Sequence, residues 1–207
     1  MKKVLTAIVS FVLVFSFSVS VAAAAPNVTT SFSKTMKNNA VLMAYYAYWD
    51  QEQETYPIGT GLEFASRVKS NGVWDYKQSF GTTTSYVYNG WNTTGENLGN
   101  MHYGYVGRAC GFGRTMLEFI AGAVQIYSGT AHVGWYTTYF DDPNDQAWIG
   151  TGMNLWDWNM LPATSSLART KITKDDPMFN ILSKQEKIEI ERKAKANSAK
   201  IRAKQKI

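Results

Sequence analysis

Gly99-Asn100-Met101-His102-Tyr103-Gly104-Tyr105-Val106-Gly107-Arg108-Ala109-Cys110-Gly111-Phe112-Gly113 is the stretch around which the chain is organised. Five of these fifteen residues are glycine. Ordering glycine costs more backbone entropy than ordering any other residue, so such density needs a reason. Either the backbone turns sharply or approaches a ligand, or a neighbouring element packs closely on it. Met101, Tyr103 and Tyr105 alternate with His102, Gly104 and Val106, which predicts a short strand or extended loop. Backbone amides in such a loop are free to bind phosphate, so the stretch is expected to floor a cleft. Cys110 is the only cysteine, so no internal disulfide forms. It sits among glycines beside Arg108, which would favour a nucleophilic thiolate, but a buried, inert thiol is the commoner case.

Downstream, Met116, Leu117, Ile120, Val124 and Tyr127 recur at helical spacing and predict a central buried helix ending at Gly129. Ala121-Gly122-Ala123 on it leaves room for a neighbour. Asp141-Asp142-Pro143-Asn144-Asp145-Gln146 then reads as a helix start, with Asp142 as cap and Pro143 in the first turn. Asp175-Asp176-Pro177 repeats the device. Asp145 and Gln146 have no counterpart in that second copy and are the better functional candidates.

Upstream, Met36 to Asp50 carries Val41, Leu42, Tyr45, Tyr46 and Trp49 at helical spacing, after a flexible lead-in over 25–35. Leu62 to Lys69 predicts a short second helix and Asn71-Gly72 a turn. Val73 to Lys77 reads as extended, with Asp75 and Lys77 on one face. Asn89-Gly90 closes a hairpin within the loop Gly81 to Thr94.

The two ends differ from the middle. Lys2 and Lys3, an apolar run to Val21 and Ala22 to Ala25 form the pattern of a secretory signal peptide cleaved after Ala24. Residues 183–207 hold nine Lys/Arg against three Glu, whereas residues 25–182 hold ten against thirteen Asp/Glu. A basic helical tail is therefore expected beyond a mildly acidic body, suited to anionic polymer. The expected organisation is signal peptide 1–24, lead-in and helix 25–59, the main domain 60–162, and linker with basic tail 163–207. The fold class is mainly α with a few short strands (α+β), a single compact domain with a long basic C-terminal helix. No transmembrane partner is expected, and the location is extracellular or cell wall.

Four blocks in order, Val73–Lys77, Glu96–Gly107, Ala121–Gln125 and Asp141–Gln146 with Ile149 and Gly152, resemble the bacterial polymorphic toxin type 44 domain over about residues 60–158. The resemblance implies a toxin of interbacterial competition, paired with a cognate immunity protein, with RNase-type hydrolysis its usual suggested activity. A signal peptide here replaces the large delivery region expected of such toxins.

Two chemistries suit the residues. RNA cleavage needs a base, an acid and a cation at phosphate. His102 or Asp145 would be the base, Asp75 the acid, and Lys77 or Arg108 the clamp. Peptidoglycan cleavage needs paired carboxylates, such as Glu96 with Asp75 or Asp145, and sugar-stacking aromatics, for which seven Trp and twelve Tyr are available. A non-catalytic wall-associated protein is the third reading. The candidate catalytic residues are thus Asp75, Lys77, Glu96, His102 and Asp145. The candidate substrate-binding residues are Asn100, Tyr103, Arg108 and Gln146. No cofactor or metal site is expected.

Overall fold

The structure is a computed structural model that describes residues 24–128, 132–139, 141–167 and 173–205. Seven α-helices and one hairpin are described: α1 (Thr29–Glu52), α2 (Ile58–Val68), α3 (Tyr76–Phe80), β1 (Ser85–Tyr88), β2 (Trp91–Thr94), α4 (Gly95–Ala109), α5 (Arg114–Ser128), α6 (Pro143–Asp157) and α7 (Lys184–Gln205). The strands pair antiparallel, Ser85 with Thr94 and Tyr88 with Trp91, closed by Asn89 and Gly90 in the left-handed region (φ 51° and 81°). That is the backbone which an Asn-Gly hairpin turn demands. The class is the mainly helical one that the sequence predicts. The signal-peptide reading of 1–24 and the helix end at Gly129 lie outside the described residues, save Ala24.

Residues 110–113 of the glycine-rich stretch are a turn, with Gly111 at φ 87°. As far as Ala109 the stretch is the body of α4, which corrects the reading of its alternation. Its amides are spent on helical hydrogen bonds, so no phosphate cradle remains. The glycines serve the second use open to them. A β-carbon at Gly104 would overlap the carbonyl oxygen of Ile149, 2.9 Å from its carbonyl carbon. One at Gly152 would overlap the carbonyl oxygen of Met101 and lie 2.9 Å from the amide nitrogen of Tyr105. α4 and α6 therefore meet backbone to backbone. At one end Asn144 Nδ2 donates to Asn97 Oδ1 (3.0 Å), and at the other Arg108 Nε donates to Asp157 Oδ1 (2.8 Å). Partner numbers rise together, so the two helices run the same way and their N-termini end side by side.

α1 begins at Thr29, so the expected lead-in is ordered from there onward. Val28 N–H donates to the Val87 carbonyl and Val87 N–H to the Pro26 carbonyl, which ties this entry to the hairpin. α1 buries Phe32, Met36, Ala40, Val41, Met43 and Ala44 in a core shared with Leu98, Met101, Tyr105 and Val106 of α4. α1 and α4 are the central pair. α5, predicted to be central, leaves Met116, Phe119 and Ile120 exposed and sinks Leu117 into the core; the side chains of Val124 and Tyr127 lie outside those described. Gly122 does admit a neighbour, since a β-carbon there would overlap the carbonyl oxygen of Tyr139.

α7 does not stand off from the body as the sequence suggests. Ile190, Ala194 and Ser198 are buried on it. A buried carboxylate draws it in. Asp50 Oδ2 accepts from the Thr60 N–H (2.6 Å) and hydroxyl (2.8 Å), and its Oδ1 accepts from Thr55 and, at 3.4 Å, from the Ser198 hydroxyl. A buried charge needs such a shell of donors. Asn197 Nδ2 adds a bond to the Tyr46 hydroxyl (2.9 Å). Among the described residues no helix is long and apolar enough to cross a membrane.

Candidate functional site

α3 stacks on the first turn of α4. The Tyr76 β-carbon would lie 3.7 Å from a β-carbon at Gly99, and Gly95 has no room for one beside the Gly81 carbonyl. The expected extended segment is therefore a helix, with Asp75 at its N-cap and Lys77 one residue in. Lys77 Nζ reaches Glu96 Oε1 at 2.5 Å. Burial alone would lower the Lys77 pKa, but the Glu96 contact, with Asp145 and Asp75 beyond it, raises it. The ammonium is thus fixed as a cation among three carboxylates.

The parallel α4–α6 pair brings the last of these carboxylates into place. Asp142 caps α6 by accepting from the Asn144 N–H (2.7 Å), with Pro143 in the first turn, as the sequence predicts. Asp176 does the same for the Met178 N–H (2.9 Å). Asp145, one residue past Asn144, is only 8 % exposed. Among the described residues nothing donates a hydrogen bond to its carboxylate. Burial first, then the charges of Glu96 and Asp141, push its pKa up to about 6 against the pull of Lys77. Negative charge at two adjacent helix N-termini also offsets their summed dipoles.

Asp75, Lys77, Glu96 and Asp145 thus converge, although they come from three elements. Asp75 itself is held by accepting from the Asn71 N–H (2.8 Å). Asn100 lies one turn below Glu96 on α4, and its amide nitrogen is buried without a hydrogen-bond partner. Gln146 is tied down, donating to Asp141 Oδ2 (2.8 Å) and to the Glu118 carbonyl (3.0 Å). It positions Asp141 and α5. The sequence reading passed over Asn97 and Asn144, whose amide bond locks the two N-termini together. Two asparagines forty-seven apart carry no spacing signal.

Three candidates stand apart from this cluster. His102 is fully buried, with its ring centroid 4.8 Å from that of Tyr76 and 5.1 Å from that of Trp74. Its Nε2 accepts from Asn39 Nδ2 (2.9 Å), and burial lowers its pKa to about 3. It is a neutral core ring with no access to a substrate. His102→Leu is expected to cost about 1–3 kcal/mol by leaving unpaired one of the two Asn39 amide protons, the other being held by the Tyr76 hydroxyl. Its turnover per folded molecule should match the parent, as paired urea melts and active-fraction kinetics would show. Tyr103 points elsewhere, its hydroxyl donating to the Leu117 carbonyl (3.0 Å). Arg108 lies at the far end of α4, held by Asp157 and the Phe112 carbonyl. Cys110 is buried and its thiol pKa raised, as an inert core thiol requires.

Among the described residues no group of three or more His, Cys, Asp or Glu side chains has the geometry to hold a metal ion. What the cluster offers is a pair of carboxylates in unlike environments, one paired with a lysine and one half-neutral near pH 6. Groups whose surroundings drive their proton affinities apart are suited to acid and base roles.

Comparison with known proteins agrees with the resemblance. No curated protein and no solved structure matches the chain. Residues 63–158 match the family model for bacterial toxin 44, a span that runs from α2 to just past α6 and holds all four clustered residues. The match thus makes residues 63–158 similar to the bacterial toxin 44 family.

Proposed function

We propose that this toxin domain is a hydrolase that cleaves RNA by general acid–base chemistry at Glu96, Asp145 and Lys77. The carrying observation is the fixed cation between two carboxylates, one of which holds its proton up to about pH 6. Glu96 takes the proton from a ribose 2′-hydroxyl. The 2′-oxygen attacks phosphorus, and the bond to the 5′-oxygen breaks. Asp145 protonates that leaving oxygen. Lys77 neutralises charge on the phosphoryl oxygens as it builds. The products are a 2′,3′-cyclic phosphate and a 5′-hydroxyl, and Asp75 keeps Lys77 in place. A glycosidic bond would also accept two carboxylates, but it has no use for the lysine between them.

The signal-like N-terminus supports an exported toxin. The family implies an immunity protein as a partner in general.

The test is to incubate the protein with total RNA and, separately, with purified cell wall. Cleavage of RNA to cyclic-phosphate ends is the expected result. Intact RNA with degraded wall would transfer the same residues to peptidoglycan, and two inactive assays would leave a binding protein. The pH profile is a further prediction. Asp145 must be protonated to act as the acid, so kcat/KM should fall tenfold per pH unit above about pH 6. Asp145→Asn should lack that limb.

A further inference from the structure

We propose that the groove between α2 and α7 receives an acidic amphipathic helix of a partner protein. The groove encloses about 540 Å³ and shares no residue with the Lys77–Asp145 cluster. Its floor is aliphatic. Ile58 and Leu62, four apart on α2, are 49 % and 61 % exposed, and Ile201 of α7 faces them across the groove. Large aliphatic side chains left this open on adjoining turns mark an interaction surface.

The rim is cationic. Lys193, Lys200 and Lys204 recur on α7 at helical spacing and line the groove. Lys193 is used internally, with its Nζ 2.7 Å from Glu63 Oε1, and Arg67 also pairs with Glu63. Among the described residues, Lys200 and Lys204 form no ion pair. The groove therefore presents an aliphatic stripe flanked by two exposed ammonium groups free of ion pairs among the described residues. Its complement is a helix with an apolar i, i+3/i+4 stripe and carboxylates beside it. Charge complementarity of this kind governs encounter and register more than it does affinity. No aromatic ring lines the groove, so it lacks the stacking surface that single-stranded nucleic acid uses. It is concave, whereas a bilayer surface meets a convex apolar face.

The test uses the full chain and a fluorescein-labelled peptide about four helical turns long, with leucines at helical spacing and glutamates elsewhere. Saturable binding by anisotropy is expected, weakening as salt is raised. Leu62→Asp, and separately the pair Lys200→Glu with Lys204→Glu, should each weaken it by about tenfold or more. Both changes are at exposed side chains, so thermal midpoints and RNA cleavage should stay at the parent's values. Absence of binding overturns the proposal. So does equal binding of a scrambled peptide of the same composition, or binding that both variants leave unchanged. Capture by phosphatidylglycerol vesicles through Leu62, with no peptide binding, would overturn it in favour of a membrane surface.

Discussion

Asp145→Asn is expected to abolish cleavage while leaving the protein at least as stable as the parent at pH 7. The loss in kcat should be about 10²–10⁴-fold, the range for removing a general acid. Stability moves the other way because of the sign of the shift. The folded-state pKa, about 6, lies above the unfolded value of 3.8, so the native state binds this proton more tightly than the unfolded chain does. Below the unfolded value both states are protonated and the carboxyl costs nothing. As pH rises toward 6 the unfolded state releases its proton first, and stability falls. Above about 6 the full cost of ionising a buried carboxyl is present. Asparagine keeps the shape and never ionises. Urea melts at pH 4.5 and 7.5 should show parent and variant converging at the lower pH and the variant ahead at the higher. A variant that loses stability at pH 7 would mean that the carboxylate is a structural anchor and the site reading is wrong.

Gly104→Ala should be among the most damaging single-methyl changes in the molecule. Alanine is the better helix former by about 1 kcal/mol. Here that gain is overwhelmed, because the new carbon would lie inside the van der Waals shell of the Ile149 carbonyl. Overpacking of this kind costs about 3 kcal/mol when backbone rather than a side chain must yield. Gly152→Ala drives against the Met101 carbonyl and should cost as much. The double variant should fall short of additive, since the first substitution already parts the helices. Separation also moves Asp145 away from Glu96 and Lys77. Folded Gly104→Ala should therefore lose activity and show an alkaline limb displaced from pH 6. Chemical denaturation together with the pH–rate profile measures both. Gly150→Ala, on the same helix with open space around its α-carbon, is the control and should be neutral or slightly stabilising.

The helices, the hairpin turn and the capped start of α6 were legible because local chemistry writes them. Apolar spacing, Asn-Gly and Asp-Pro act within a few residues. The site residues Asp75, Lys77, Glu96 and Asp145 were legible as residue types at block positions, but their grouping was not. Their meeting depends on α3 lying on α4 and on α4 running parallel to α6, and no local pattern encodes either. α4 itself was misread because tight packing and loop chemistry call for the same residue. Glycine's missing side chain erases the apolar periodicity that would have marked a helix. His102 drew notice for its chemistry, yet Phe32 of α1 and Trp74 and Tyr76 around the start of α3 enclose it. The place of α7 was hidden for a related reason. Its apolar contacts are few, and the hydroxyl of Ser198 is what Asp50 takes from it.

That last bond bears on the order of assembly. Asp50 draws its donors from positions 55, 60 and 198. A chain made from its N-terminus produces the first two together and the third much later. Until then a carboxylate destined for the interior lacks part of its shell, and α1 lacks the helix that covers it. α1 in turn is the surface on which α4, with Glu96 on its first turn, is seated. A chain that stops short of α7 therefore leaves the shell around Asp50 incomplete, and with it the seat of the helix that carries Glu96.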